Sequence, residues 1–273
     1  MNNFTEQFRD AIRATGLTPP NSISADGKIH RFSSNGKPRD DSGWYVAYTD
    51  GIPAGKFGCW REGFTQIWFG NSDGTMTVVE REACRQRAKH MKVQREADEA
   101  QRHQAMATEA KRRWNGAENC TAHAYLTRKG VGPHGVKIEA NRLLIPMRDT
   151  TGALHSLQTI SSEGNKLFMP GGRVTGCYHS IGRPNGVLIV CEGYATAASI
   201  HECTNHAVAV AFTAGNILAV TLALRAKYPA LKLVIAADDD HQTPRNPGMT
   251  RAMEAAHATG ATLAVPAFKA VTA

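Results

Sequence analysis

The spacing of apolar residues changes character three times along this chain, and each change predicts a different kind of element. Near the start, Phe4, Phe8 and Ile12 recur at helical spacing and stop at Gly16, with Pro19 and Pro20 beyond, which predicts one short amphipathic helix. Short β-type runs separated by turn residues follow at 29–32, 44–48, 56–60 and 66–69. From about Val78 to Trp114 there is no Gly or Pro, and the sparse apolar positions (Ala83, Met91, Ala105, Met106, Ala110) sustain no a/d heptad. A long, mostly solvated connecting helix is expected there. Residues 123–130 predict a short helix closed by Gly130. An antiparallel meander follows: a strand at 142–148, a D-x-x-G turn at 149–152, its hairpin partner at 153–160, and a further strand at 166–169. In the last ninety residues the apolar runs are continuous rather than alternating, at 187–191, 207–212, 231–237 and 261–265. Strands buried on both faces read this way. Helical stretches at 195–202, 217–227 and 248–259 lie between them, so strand–helix–strand repetition predicts a parallel sheet with right-handed crossovers.

These shifts divide 273 residues into four parts: a small α+β module at 1–75, a charged connecting helix at 76–116, a basic subdomain at 117–182 and an α/β domain at 183–273. No stretch approaches the ~20 apolar residues of a membrane span, and the first residues lack the apolar core of a signal peptide. The six cysteines (Cys59, Cys84, Cys120, Cys177, Cys191, Cys203) form no C-x-x-C pair, so reduced thiols are expected and zinc is not. A net charge of +8 suits a polyanionic partner without naming one. Three of the four tryptophans (Trp44, Trp60, Trp68) lie in the first module beside Lys28, His30, Arg31, Lys37 and Arg39. They either fill a core too small for aliphatics alone or stack on single-stranded bases.

Candidate chemistry lies where two of the parallel strands end. The first runs from VLIVC into Glu192 and Gly193; the third runs from KLVIAA into Asp238, Asp239 and Asp240, with His241 after them. Ligands of open α/β sheets bind beyond the carboxyl ends of the strands, and both acidic ends fall on that edge. In extended chain Asp238 and Asp240 point the same way and Asp239 aside. Such an oxygen-only cluster suits a hard cation, Mg²⁺ or Mn²⁺, which also relieves the mutual repulsion of the carboxylates. A single acid at a strand end would merely cap the next helix. Cys191 reads as a small hydrophobe ending a buried strand.

These residues resemble the TOPRIM domain shared by bacterial-type primases, topoisomerases and some nucleases: Glu192 with Gly193 after the first strand, Gly215 in TAGN after the second, Asp238 and Asp240 after the third. The meander RLLIPMRDTTGALHSLQTISSEGNKLFMPGG is similar to the basic subdomain of DnaG-type primases. EGYATAASI, with AGN and DDD further on, is most similar to primases and primase-helicases of plasmids and phages, and DGKIHRF with GWYVAYTDGIPAGKFGCW recurs in such mobile-element proteins. The departures are a missing zinc ribbon and a chain that stops at AVPAFKAVTA; longer members continue into a helicase, so the chain is read as a fragment or a stand-alone primase.

The resemblance implies synthesis of short RNA primers on single-stranded DNA by two-metal nucleotidyl transfer, for plasmid or phage replication in the cytoplasm of a bacterial host. Asp238 and Asp240 would hold Mg²⁺, with Glu192 as a further ligand or general base. Arg142, Arg148, Lys166, Arg173 and, more weakly, Lys129 would contact template or triphosphate. For Arg148 and Arg173 a plain surface role is equally open. Gly193 and Gly215 would support the turns. Ribonucleoside triphosphates, a single-stranded template and a replicative helicase, fused or in trans, are the implied partners. Two other functions remain: a TOPRIM-type metal-dependent nuclease, and a non-catalytic single-strand-binding or antirestriction accessory.

Overall fold

The computed structural model describes residues 4–38, 40–49, 53–70, 78–238 and 247–266. Arg39, Asp239, Asp240 and His241 lie outside them. The chain divides into two compact units, Met1–Gln94 and Arg95–Ala273. In the first, helix α1 (Phe4–Ala14) precedes four antiparallel strands in sequence order: β1 (His30–Phe32), β2 (Gly43–Tyr48), β3 (Ala54–Cys59) and β4 (Phe64–Phe69). The helical spacing of Phe8 and Ile12 puts both side chains on one side of α1, and both are fully buried against Tyr45, Ala47, Phe57 and Cys59. Trp68 packs into the same core, with its ring 5.1 Å from that of Phe8. Trp44 is buried too, whereas Trp60 is 59% exposed and lies over it with ring centroids 5.5 Å apart. Aromatics thus build this small core, and only one of the three tryptophans faces solvent.

Helix α2 (Val78–Gly116) runs 39 residues, and its C-terminal turns belong to the second unit. There a five-stranded antiparallel sheet follows sequence order: β5 (Glu118–Asn119), β6 (Lys137–Glu139), β7 (Arg142–Arg148), β8 (Leu154–Ile160) and β9 (Lys166–Phe168), with helix α3 (Ala124–Lys129) inserted after β5. Alternation along β7 sorts its side chains between two layers. Leu144, with Leu157 of β8, packs on Ala110 and Trp114 of α2. Leu143, Ile145 and Met147 face the opposite way, into the core shared with the second sheet.

That second sheet has the order β10-β12-β11-β13-β14. Its strands are β10 (His179–Ile181), β11 (Val187–Cys191), β12 (Ala207–Val210), β13 (Lys232–Ala236) and β14 (Thr262–Ala264), joined by helices α4 (Tyr194–Thr204), α5 (Ala214–Lys227) and α6 (Pro247–Thr259). Four strands are parallel, as the continuous apolar runs predict, and β10 adds an antiparallel fifth at the edge. Three residues with no periodicity to read gave β10 no signal in the sequence. Leu188 and Val190 face α5 and α6, while Ile189 and Cys191 face α4 and the meander sheet, so both faces are covered. This burial explains why hydrophobic residues do not alternate with polar ones here.

Candidate active site at the carboxyl edge of the parallel sheet

Strand register sets the two described acids at one edge of the sheet. Cys191 of β11 pairs with Ala236 of β13, so Glu192 and Asp238 both leave the sheet at its carboxyl edge, from strands about 4.8 Å apart. Ala237 still donates its N–H to the Ala264 carbonyl, which holds the chain in place up to Asp238. Both carboxylates are half-buried. The thiol of Cys191 registers them: burial first, then the charges of Asp238 and Glu192, pushes its pKa far up, which keeps the sulfur a protonated core atom.

Helix α4 starts directly after Glu192, with Gly193 at its N-cap. Its positive end favours a carboxylate at that place. Lys166 enters from the meander sheet. It lies opposite Ile160 on β9, on the face turned toward the parallel sheet, and its Nζ comes 3.8 Å from where a Cβ on Gly193 would stand. One flexible ammonium therefore reaches the turn that carries Glu192.

The other predicted cations are distributed more widely. Arg142 begins β7 and is exposed; its alternation puts it on the α2 side of the sheet. Arg148, at the other end of β7, lies about 20 Å from Arg142 by strand rise, and its guanidinium stands 5.8 Å from the Trp114 ring centroid. Arg173 donates from Nε to the Thr175 carbonyl at 3.1 Å. Lys129 is exposed at the end of α3, before Gly130 at φ 66°. Gly193 has a φ of −103°, open to any residue, and a Cβ on it or on Gly215 would meet nothing closer than 3.7 Å.

Three residues that sequence reasoning passed over shape this edge. Asn216, in the first turn of α5, is buried and uses both ends of its amide. Its Oδ1 accepts from the Gly176 N–H at 2.8 Å, and its Nδ2 donates to the carbonyls of Cys177 (3.0 Å) and Ala211 (2.9 Å). The loop bearing Arg173 is thereby tied to the end of β12. Phe212 sits at φ 72°, a region costly for an aromatic residue. Its N–H donates to the Glu192 carbonyl at 2.8 Å, and its ring meets Phe168 at 6.3 Å. Gly248 opens α6 so close to β13 that a Cβ would come 2.7 Å from the Asp238 carbonyl oxygen. TAGN displays Asn216 in the sequence, but nothing local marks the other two.

Two hard oxygen donors on neighbouring strands fit a divalent cation such as Mg²⁺. Among the described residues no group of three His, Cys, Asp or Glu side chains is placed to hold a metal ion. The expected third ligand, Asp240, lies outside those residues.

Residues 187–270 match the Toprim domain family. Along 96% of its length the chain is 34% identical to a DNA primase TraC of Escherichia coli, covering 26% of that protein. A second DNA primase TraC of Escherichia coli is 32% identical over 96% of the chain, which covers 19% of it. The chain thus spans about a quarter or less of the curated relatives it matches. The primase fragment of the bacteriophage T7 primase-helicase protein superimposes with a TM-score of 0.41 at 13% identity, covering 56% of this chain and 71% of that one, too slight a likeness to carry weight. Residues 187–270 thus match the Toprim domain family, and the chain as a whole is similar to a part of two DNA primases TraC of Escherichia coli.

Proposed function

We propose that this chain is a DNA-directed RNA polymerase that lays short RNA primers on single-stranded DNA for plasmid or phage replication. The observation that supports the proposal is the pairing of Cys191 with Ala236, after which Glu192 and Asp238 follow adjacent strand ends, with the Lys166 Nζ beside the Gly193 turn. The four-part division at 75, 116 and 182 belongs to the same proposal, with the basic subdomain at 117–182 serving the Toprim domain.

Glu192 and Asp238, joined by Asp240, would hold Mg²⁺, which when bound neutralises triphosphate charge and lowers the pKa of an attacking hydroxyl. Lys166 brings a cation to the phosphates as a compact point charge. Arg173, steadied through Asn216, and the exposed Arg142 and Lys129 offer further phosphate contacts along a template or an incoming ribonucleotide. The positive end of α4 favours a carboxylate at Glu192, which would serve as a metal ligand or general base. A replicative helicase completes the proposed set of partners.

The test supplies labelled ribonucleotides, Mg²⁺ and a single-stranded template to the full chain and to Glu192→Gln and Asp238→Asn. Oligoribonucleotides of defined length are expected from the unsubstituted chain. Each variant should lose synthesis by a factor on the order of 10²–10⁴ while retaining DNA binding. Shortened template without new RNA would instead identify a nuclease. DNA binding with no synthesis by any form of the chain would identify a non-catalytic accessory.

A further inference from the structure

A separate pocket of about 370 Å³ opens at the other edge of the parallel sheet. It is lined by the beginnings of β11 and β12 (Leu188, Ala207), the end of α5 and the residue after it (Lys227, Tyr228), the chain entering β10 (Tyr178, His179), the end of β7 (Arg148) and Trp114 of α2. Leu188 and Glu192 are separated along β11 by about 13 Å of strand rise, so this pocket is not the carboxylate site.

Its lining combines aromatic surface with cations that are already positioned. The Arg148 guanidinium stands over Trp114 at 5.8 Å and gives one N–H to the Gly152 carbonyl at 3.0 Å. The Lys227 ammonium lies 5.3 Å from the Tyr228 ring centroid and donates to the Thr150 carbonyl. Among the described residues neither cation has a carboxylate within ion-pair distance. Asp149, the acid in the lining, is consumed by its own turn: Oδ1 accepts from the Thr151 N–H, the Thr151 hydroxyl and the Ala153 N–H, and Oδ2 faces His155 at 2.8 Å. Burial holds His179 neutral, and its Nε2 is turned to the His134 carbonyl at 2.8 Å. What remains is a partly desolvated guanidinium, an ammonium, three aromatic rings and one ionised carboxylate, Asp149, whose oxygens are taken up by its own turn and His155, around a space at the lower end of the range for small-molecule sites. A cation withdrawn from water without a counter-ion is costly, and that cost is recovered when an anion enters. Arg148 retains N–H donors for such an anion in the forked geometry suited to phosphate. Trp114, Tyr178 and Tyr228 supply flat apolar surface for a planar ring.

We propose that this pocket binds a single nucleoside phosphate, its phosphate on Arg148 and Lys227 and its base among Trp114, Tyr178 and Tyr228. The site joins the meander sheet to the parallel sheet, so its occupant would stiffen the arrangement of the two. The inference stands whether or not the chain makes primers.

The experiment is calorimetric titration of the full chain with ADP, GMP and inorganic phosphate, in EDTA so that no divalent cation assists binding at the carboxylate edge. One nucleotide per chain is expected to bind, with inorganic phosphate at least about tenfold weaker because it lacks the ring. Lys227→Met, at an exposed helix end, should weaken nucleotide binding about tenfold or more, and Arg148→Met likewise. Circular dichroism of each variant confirms that it is folded. The inference is overturned if neither nucleotide binds more tightly than about 1 mM, or if phosphate alone binds equally well. It is also overturned if Lys166→Met, rather than Lys227→Met, abolishes binding. Displacement by a short single-stranded oligonucleotide that itself binds more than tenfold tighter would mark the pocket as part of a strand track and refute it as well.

Discussion

Replacing Asn216 with Ala tests whether one buried amide holds the loop at 173–177 against the sheet. The substitution removes three hydrogen bonds of 2.8, 3.0 and 2.9 Å, and leaves the Gly176 N–H and the carbonyls of Cys177 and Ala211 without that partner. If all three groups regain water, the loss is about 1 kcal/mol for each bond; groups that stay dry cost about 1–3 kcal/mol each. Gly176 is half-buried while Cys177 and Ala211 are fully buried, so rehydration will be partial. The expected destabilisation is therefore roughly 3–5 kcal/mol, which corresponds to a fall in Tm of roughly 6–20 °C for a chain of this size. Asn216→Asp should do comparable harm, because it turns two donor contacts into a carboxylate facing two carbonyl oxygens. Scanning calorimetry with urea denaturation, on the full chain, supplies the measurement. A loss below about 0.5 kcal/mol for Asn216→Ala would show that the amide is incidental, and the argument for a tethered Arg173 would fall with it.

Two other outcomes follow from the same packing. Gly248→Ala must move either the start of α6 or the Asp238 backbone, since the new Cβ would sit 2.7 Å from the Asp238 carbonyl oxygen; the expected cost is about 1–3 kcal/mol, with a larger proportional loss of synthesis than of stability, and a variant equal to the parent in both refutes the steric reading. His179, whose pKa burial holds down at about 4, takes up a proton more readily when unfolded. The unfolded form therefore binds more protons between about pH 6.5 and 4, and stability falls as the pH drops through that window, by roughly 3 kcal/mol in all. His179→Gln should flatten that part of the urea-midpoint profile, and an unchanged profile would refute the assignment.

Much of this organisation is legible in the order of residues. The spacing of Phe8 and Ile12, the alternation of RLLIPMR, and the unbroken VLIVC and KLVIA runs each state which sides of an element meet a core, because burial selects apolar residues at the period of the backbone. The strand VLIVC occupies Val187–Cys191, where the apolar run places it, and the acids that follow lie at one edge because parallel strands share a direction. Short strands escape this logic. Glu118–Asn119, Lys137–Glu139 and His179–Ile181 are too brief to show a period, and they form because neighbouring strands offer unpaired backbone groups.

Chemistry along the basic subdomain divides the same way. Residue types alone nominate Arg142, Arg148, Lys166 and Arg173 together, since a cation announces its charge but not its direction. Alternation on β9 turns Lys166 toward Gly193, whereas Arg148 ends against Trp114 near the opposite edge of the parallel sheet. The turn at Phe212 and the close approach of Gly248 to Asp238 are likewise invisible one residue at a time. What the sequence by itself determined is which segments become strands and helices, and that acids terminate two of them. The tertiary structure alone decided which cation reaches the turn after Glu192 and which pocket forms away from it, because such meetings depend on strand register and on the distance between surfaces far apart in the chain.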